Sequence, residues 1–216
     1  LNVGILYTFG IVSLGVYSIV LAGYAANSKY PFLGGIRATA QMISYEIAMG
    51  FALVGVLIMS GTLNLRNIVL AQQGGIFDWF WLPLFPLFII YLISGVAETN
   101  RAPFDLPEAE SELTAGFHTE YSGMGFGIFF LAEYSYMVIV CAVATALFLG
   151  GWDGPVLPGI WWFLAKVFGL IFVMMWFRWT FPRVRFDQLL NICWKWLIPL
   201  GLLNLVVTAL MLKLVR

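Results

Sequence analysis

Residues 98–123 read ETNRAPFDLPEAESELTAGFHTEYSG. Charge is scarce in this chain: 62 % of its residues are hydrophobic and 10 % are charged. Yet six of its 11 acidic residues fall in this one stretch: Glu98, Asp105, Glu108, Glu110, Glu112 and Glu120. Long apolar runs flank it on both sides. It is too long for an ordinary connection, since most loops run about 4–6 residues and longer ones are usually functional or disordered. Phe104, Leu106, Leu113, Phe117 and Tyr121 stand among the charges, whereas a disordered tail is poor in such residues. The stretch therefore reads as an ordered polar segment, visited by something apolar and by protons.

The flanking runs set the class. A mean hydropathy of +0.93 and runs approaching the ~20 apolar residues that cross a hydrocarbon core describe an all-α integral membrane protein. The short alternating strands of a β-barrel are absent from the pattern. A formal net charge of zero leaves nucleic acid no electrostatic footprint. Cys141 and Cys193 stand apart in apolar surroundings and read as core packing. With a single histidine, His118, they make no metal or iron–sulfur ligand set.

Six spans are expected, at about 3–25, 43–61, 79–97, 125–149, 160–180 and 196–214, with edges loose by a few residues. They form one transmembrane domain over residues 1–216, within which residues 98–124 make the acidic loop. Residues 27–37 read as a polar connection and 64–73 as a short interfacial helix ended by Gly74 and Gly75. Trp79, Trp81 and Trp152 mark membrane interfaces. The chain opens on Leu1, and a preceding part is expected. Alternate connections put Lys29, Arg37, Arg101, Arg178, Arg183, Arg185 and Lys195 on one side. The other side receives Arg66, Lys213 and Arg216, with Lys166 in a span near it. The basic excess marks the first side as the inner one, and the acidic loop lies there.

Three acids sit where charge is expensive. Glu46 lies inside the second span, Glu133 about two turns into the fourth, and Glu98 closes the third. An acid at mid-membrane costs about 2.5–3.5 kcal/mol on insertion scales, so its default reading is functional. The bland alternative is an acid satisfied by an arginine or by a helix end. Glu108, Glu110 and Glu112 fit a short helix opened by Pro107, where acids complement the positive helix end. Arg178, Arg183 and Arg185 serve as positive-inside anchors or face the acids across a polar chamber. His118 reads as a hydrogen-bonded loop residue.

The run from Glu98 to Leu113, followed by 116–123, closely resembles the signature of one family. That family is the membrane subunit called subunit 1 in mitochondria, part of the proton-pumping NADH–quinone oxidoreductase, respiratory complex I. Other stretches resemble it too: Asn27-Ser28-Lys29-Tyr30, Ser44-Tyr45-Glu46, Ala132-Glu133-Tyr134, Gly150-Gly151-Trp152 and Pro182-Arg183-Val184-Arg185-Phe186-Asp187-Gln188. The resemblance spans essentially the whole chain and implies the last six of eight transmembrane helices. It implies a non-redox subunit that forms a quinone-access chamber and couples quinone reduction to proton translocation. Glu46, Glu98 and Glu133 would belong to the intramembrane proton path. Arg37, Phe104, Asp105, Glu108, Glu110, Glu112, Glu120, Arg178, Arg183 and Arg185 would belong to the chamber and its coupling loop. Some relatives carry a glutamate where this chain reads Val12-Ser13-Leu14, so Ser13 or water would have to serve there. The resemblance also implies quinone as substrate, no cofactor on this chain, and FMN and iron–sulfur clusters on partner subunits. The partners would be soluble quinone-site and iron–sulfur subunits together with small membrane and antiporter-like subunits. The location would be a bacterial inner membrane, with the mitochondrial inner membrane as the alternative. Two other readings stand beside it: the homologous subunit of a membrane-bound hydrogenase or ferredoxin-dependent complex, and a stand-alone ion transporter. The second would need inverted repeats and interrupted midplane helices, and neither is visible.

Overall fold

The structure, a computed structural model, describes residues 2–105, 120–154 and 159–215. Helix α1 runs Gly4–Ala25 and α2 runs Lys29–Ser60. A short α3 spans Leu65–Leu70 and α4 spans Phe85–Glu98. Then come α5 (Met124–Phe148), α6 (Gly159–Thr180) and α7 (Phe186–Ile192). From α7 the chain passes through a π-type segment, Cys193–Leu197, into α8 (Ile198–Val215). Among the described residues five helical stretches are long and apolar enough to cross a membrane, and α4 is a shorter apolar helix. The architecture is all-α, with no strand among the described residues.

Helix α2 is the post around which the others stand, packing against α1, α4, α5, α7, the π segment and α8. Its buried residues Ala38, Gln41, Met42, Tyr45, Ala48, Met49, Ala52, Leu53 and Val56 recur at three- and four-residue steps, which keeps one stripe inward. The expected connection 27–37 is mostly part of this helix, so Lys29 and Arg37 ride on α2 itself. Pro31 sits in the first turn, where a missing N–H costs little. Gly34 and Gly35 look like breakers in sequence, but a Cβ at Gly35 would lie 3.4 Å from the Cα of Gly23 on α1. Packing of two backbones, as in small-residue membrane contacts, outweighs glycine's poor helix propensity. The helix stops at Gly61, whose φ of +68° makes a left-handed cap.

The third span differs from expectation at its start. Pro83 and Pro86 delay α4 to Phe85, and residues 79–84 turn instead. At 14 residues α4 is about 21 Å long, short of a hydrocarbon core. Non-helical backbone at such depth needs protein partners, and it has them. Phe80 N–H donates to Gln72 Oε1 (3.2 Å) and Trp81 N–H to Phe148 O (3.0 Å). The same Gln72 receives Gly150 N–H (3.0 Å) and donates to Ile68, Ala146 and Leu147 carbonyls. One buried amide thus ties α3, the turn before α4 and the end of α5. Lys166 on α6 finishes this end, donating to the carbonyls of Leu149 (2.6 Å), Gly151 (3.1 Å) and Asp153 (2.7 Å) over the face of Trp79.

The last helix begins ten residues earlier than the apolar run implies. Pro182 ends the extension of α6, and helix resumes at Phe186 after a connection of five residues. Pro199 lacks an N–H for the ordinary ladder. The chain accommodates it with the π segment just before, where Ile198 N–H reaches back to Cys193 O. Cys193 Sγ meets Ser44 O at 3.1 Å, and Cys141 and Cys193 are both buried, as core packing requires.

Candidate functional site

The acidic stretch begins as buried structure. Thr99, Asn100, Arg101 and Phe104 are all buried at the foot of α4. Asn100 takes a left-handed backbone (φ +51°), which asparagine tolerates better than most residues. Phe104 N–H then closes a turn on Arg101 O (2.9 Å). Gln41, fully buried on α2, spans this turn: its Nε2 donates to Ala97 O (2.7 Å) and Phe104 O (2.9 Å). The Phe104 ring lies 5.7 Å from that of Tyr45, and Tyr45 Oη donates to Leu189 O (3.1 Å). Val184 N–H donates to Pro103 O (3.1 Å), so the basic connection after α6 is docked on the same turn.

Glu98 is 2 % exposed. One carboxylate oxygen accepts Tyr136 Oη from α5 at 2.6 Å, and the other has no hydrogen-bond partner among the described residues. Glu46, half-buried on α2, accepts a hydrogen bond from Ser13 Oγ of α1. Glu46 stands on α2 and Glu98 at the end of α4, two helices that pack against each other.

Glu133 keeps different company. Its Oε2 lies 3.2 Å from an Arg101 guanidinium nitrogen, and both side chains are largely buried. Arg101 also lies over Tyr134, 4.4 Å from the ring centroid, and 6.0 Å from that of Phe130. Glu98 and Arg101 therefore meet α5 about one turn apart, Glu98 at Tyr136 and Arg101 at Glu133.

An apolar cavity of about 490 Å³ opens beside this group. Leu92 and Val96 of α4, Pro103 and Phe104 of the turn, Phe177 of α6, and Pro182 and Val184 of the basic connection line it. Drug-sized and cofactor sites fall in the range of about 300–1,000 Å³. Of the other expected residues, Arg37 stands 6.0 Å from the Phe186 ring. Asp105 is half-buried and Glu120 exposed. Arg178, Arg183 and Arg185 are exposed; Arg178 shares a small cavity with Arg101, Thr99 and Tyr134. Glu108, Glu110, Glu112 and His118 lie outside the described residues. Among the described residues no cluster of metal-ligating side chains occurs.

Sequence reading missed Gln41, Arg101 and Tyr136 as members of this site. Two of the three carried a signal. A glutamine inside an apolar run must find partners, and an intramembrane acid calls for a nearby cation. Tyr136 carried none, because its role depends on the facing of α4 and α5. The NADH dehydrogenase family model matches residues 1–209, a range that takes in every residue of the site. The chain belongs to the NADH dehydrogenase family, as the multi-pass membrane subunit of NADH–quinone oxidoreductase that mitochondria call subunit 1, and its partners are the other subunits of complex I.

Proposed function

We propose that this subunit lines part of a quinone chamber and turns quinone reduction into proton movement through Glu46, Glu98 and Glu133. Conversion of a quinone to a quinol takes two electrons and two protons. In this reading the electrons come from iron–sulfur clusters of partner subunits fed through FMN, and no group of this chain is oxidised or reduced. The chain supplies apolar wall and titratable groups. The cavity against Phe104 has an all-apolar lining, suited to the hydrocarbon part of a quinone.

The observation that carries the reading is Glu98: buried, held at one oxygen by Tyr136, and with an open acceptor at the other among the described residues. A charge gained or lost near two carboxyls in a low-dielectric site changes the energy of their protonation by an amount on the order of kcal/mol. That lets a chemical event in the chamber be felt as a proton event in the bundle. Arg178, Arg183 and Arg185 would draw the acidic face of the loop toward the basic end of the bundle.

The test is to make Glu98→Gln and Glu46→Gln in the assembled complex, reconstitute it in liposomes, and measure quinone reduction and proton uptake separately. A fall in protons moved per quinone reduced is expected in both. Assembled complexes that keep the native ratio in both variants would sink the proposal.

A further inference from the structure

We propose that Arg101 is a positioning residue for the coupling path, a latch that holds Glu133 out of proton exchange while residues 98–101 are docked on α5. The inference rests on the reading of Glu133 as a proton-carrying group. Phe130, Glu133 and Tyr134 stand at relative positions 0, 3 and 4 on α5, hence on one face. Arg101 engages all three, as an ion pair with Glu133 and over the rings of Tyr134 and Phe130. It is 8 % exposed. One turn further along the same helix, Tyr136 donates to Glu98.

Four consecutive residues thus present an acid and a base to α5, each meeting its chemical complement. Thr99 and Asn100 between them are buried, so the two contacts belong to one short rigid piece and part together. A guanidinium does not give up its proton in a protein. If Glu133 took a proton with Arg101 in place, a buried cation would be left uncompensated, which is strongly unfavourable. Among the described residues, Arg178 from α6 and Tyr134 on α5 share a small cavity with Arg101, and Glu98 lies three residues before it in the chain. Glu133 therefore exchanges its proton only when the 98–101 piece lifts. The same movement takes Glu98 from Tyr136. The start of the acidic loop and two acids are in this way switched by one displacement. Only a proton moves: a Glu133 carboxylate oxygen gains it in the lifted state and returns it as Arg101 redocks.

The experiment uses the assembled complex in liposomes, with Arg101→Gln, Arg101→Lys, Glu133→Gln and the double variant R101Q/E133Q. Protons moved per quinone reduced is measured across pH, and the carboxyl C=O stretch is followed by difference infrared spectroscopy. R101Q is expected to lower the ratio several-fold and to make it pH-dependent in a range where the native ratio is flat. A protonated-carboxyl band is expected in R101Q and absent from the double variant, whose ratio equals that of E133Q. R101K, keeping charge without the planar fork, is expected to fall between native and R101Q. A native ratio and pH profile in R101Q overturns the latch while leaving the proton path standing. So does a carboxyl band that persists in the double variant. A native ratio in E133Q overturns the role of Glu133 and the latch with it. If R101Q fails to assemble, R101K decides: a native ratio, pH profile and carboxyl spectrum there overturn the latch.

Discussion

Replacing Gln41 by Leu isolates what holds the start of the acidic loop in place. Both partners of the side chain are carbonyl oxygens, Ala97 O at 2.7 Å and Phe104 O at 2.9 Å, so the NH2 end faces them. Leucine fills much the same volume and donates nothing. The Phe104 carbonyl would lose its bond to Gln41 in a buried site, at a cost of about 1–3 kcal/mol. The Ala97 carbonyl keeps Asn100 N–H at 3.3 Å and loses one net bond, about 0.5–1.5 kcal/mol. Gln41 Oε1 is itself buried with no hydrogen-bond partner among the described residues. Removing it relieves a penalty common to the docked and undocked segment, which leaves the local balance unchanged and makes the global loss smaller. The docking of residues 97–105 should thus weaken by about 1.5–4.5 kcal/mol, a rise in local opening of roughly ten- to two-thousandfold. Hydrogen exchange of the assembled complex reads this directly. The amides of Asn100 and Phe104, bonded to Ala97 O and Arg101 O, should exchange faster by that factor, while those of α5 near Val140 stay as they were. Native exchange rates in both amides would refute the idea that Gln41 is the clasp.

Lys166→Met should weaken the opposite end of the bundle. Its ammonium makes three bonds to the carbonyls of Leu149, Gly151 and Asp153, and the loss, net of desolvation, is about 2–4 kcal/mol. The measurement is the temperature at which the subunit leaves the assembled complex, which should fall. Gly23→Val should separate α1 from α2, because a Cβ there would lie 2.9 Å from Pro31 O and 3.3 Å from Gly35 Cα, both backbone atoms. The cost is about 1–3 kcal/mol, read as reduced yield and thermal stability of the complex. Gly15→Val, with nothing within 4 Å of its Cβ, serves as the control and should change neither.

Helices α1, α5 and α6 were legible because each is an apolar run bounded by polar or turn residues. The starts of α2 and α7 were not. Lys29, Pro31, Gly34, Gly35 and Arg37 look like a loop one by one, yet they project past the apolar zone as helix because the Gly23–Gly35 contact fixes them. The late start of α4 was written in Pro83 and Pro86, which read equally as the tolerated opening of a longer helix. For the site, the acids announced themselves, since charge in an apolar run is costly. Their partners did not, because Ser13, Arg101 and Tyr136 reach Glu46, Glu133 and Glu98 from other elements. Side-chain pairing between helices depends on rotation about each axis, which a single sequence leaves open.

The length of α2 has a consequence for how any movement must be partitioned. At 32 residues it measures about 48 Å, well beyond a 30 Å hydrocarbon core. Gln41 and Glu46 stand five residues apart on it, about 7.5 Å along the axis. The clasp of the loop and the acid facing Ser13 are therefore fixed marks on a single rod, with no hinge between them. A loop that shifts cannot carry Glu46 along with it. Any such shift would instead change the distance from Glu46 to Glu98.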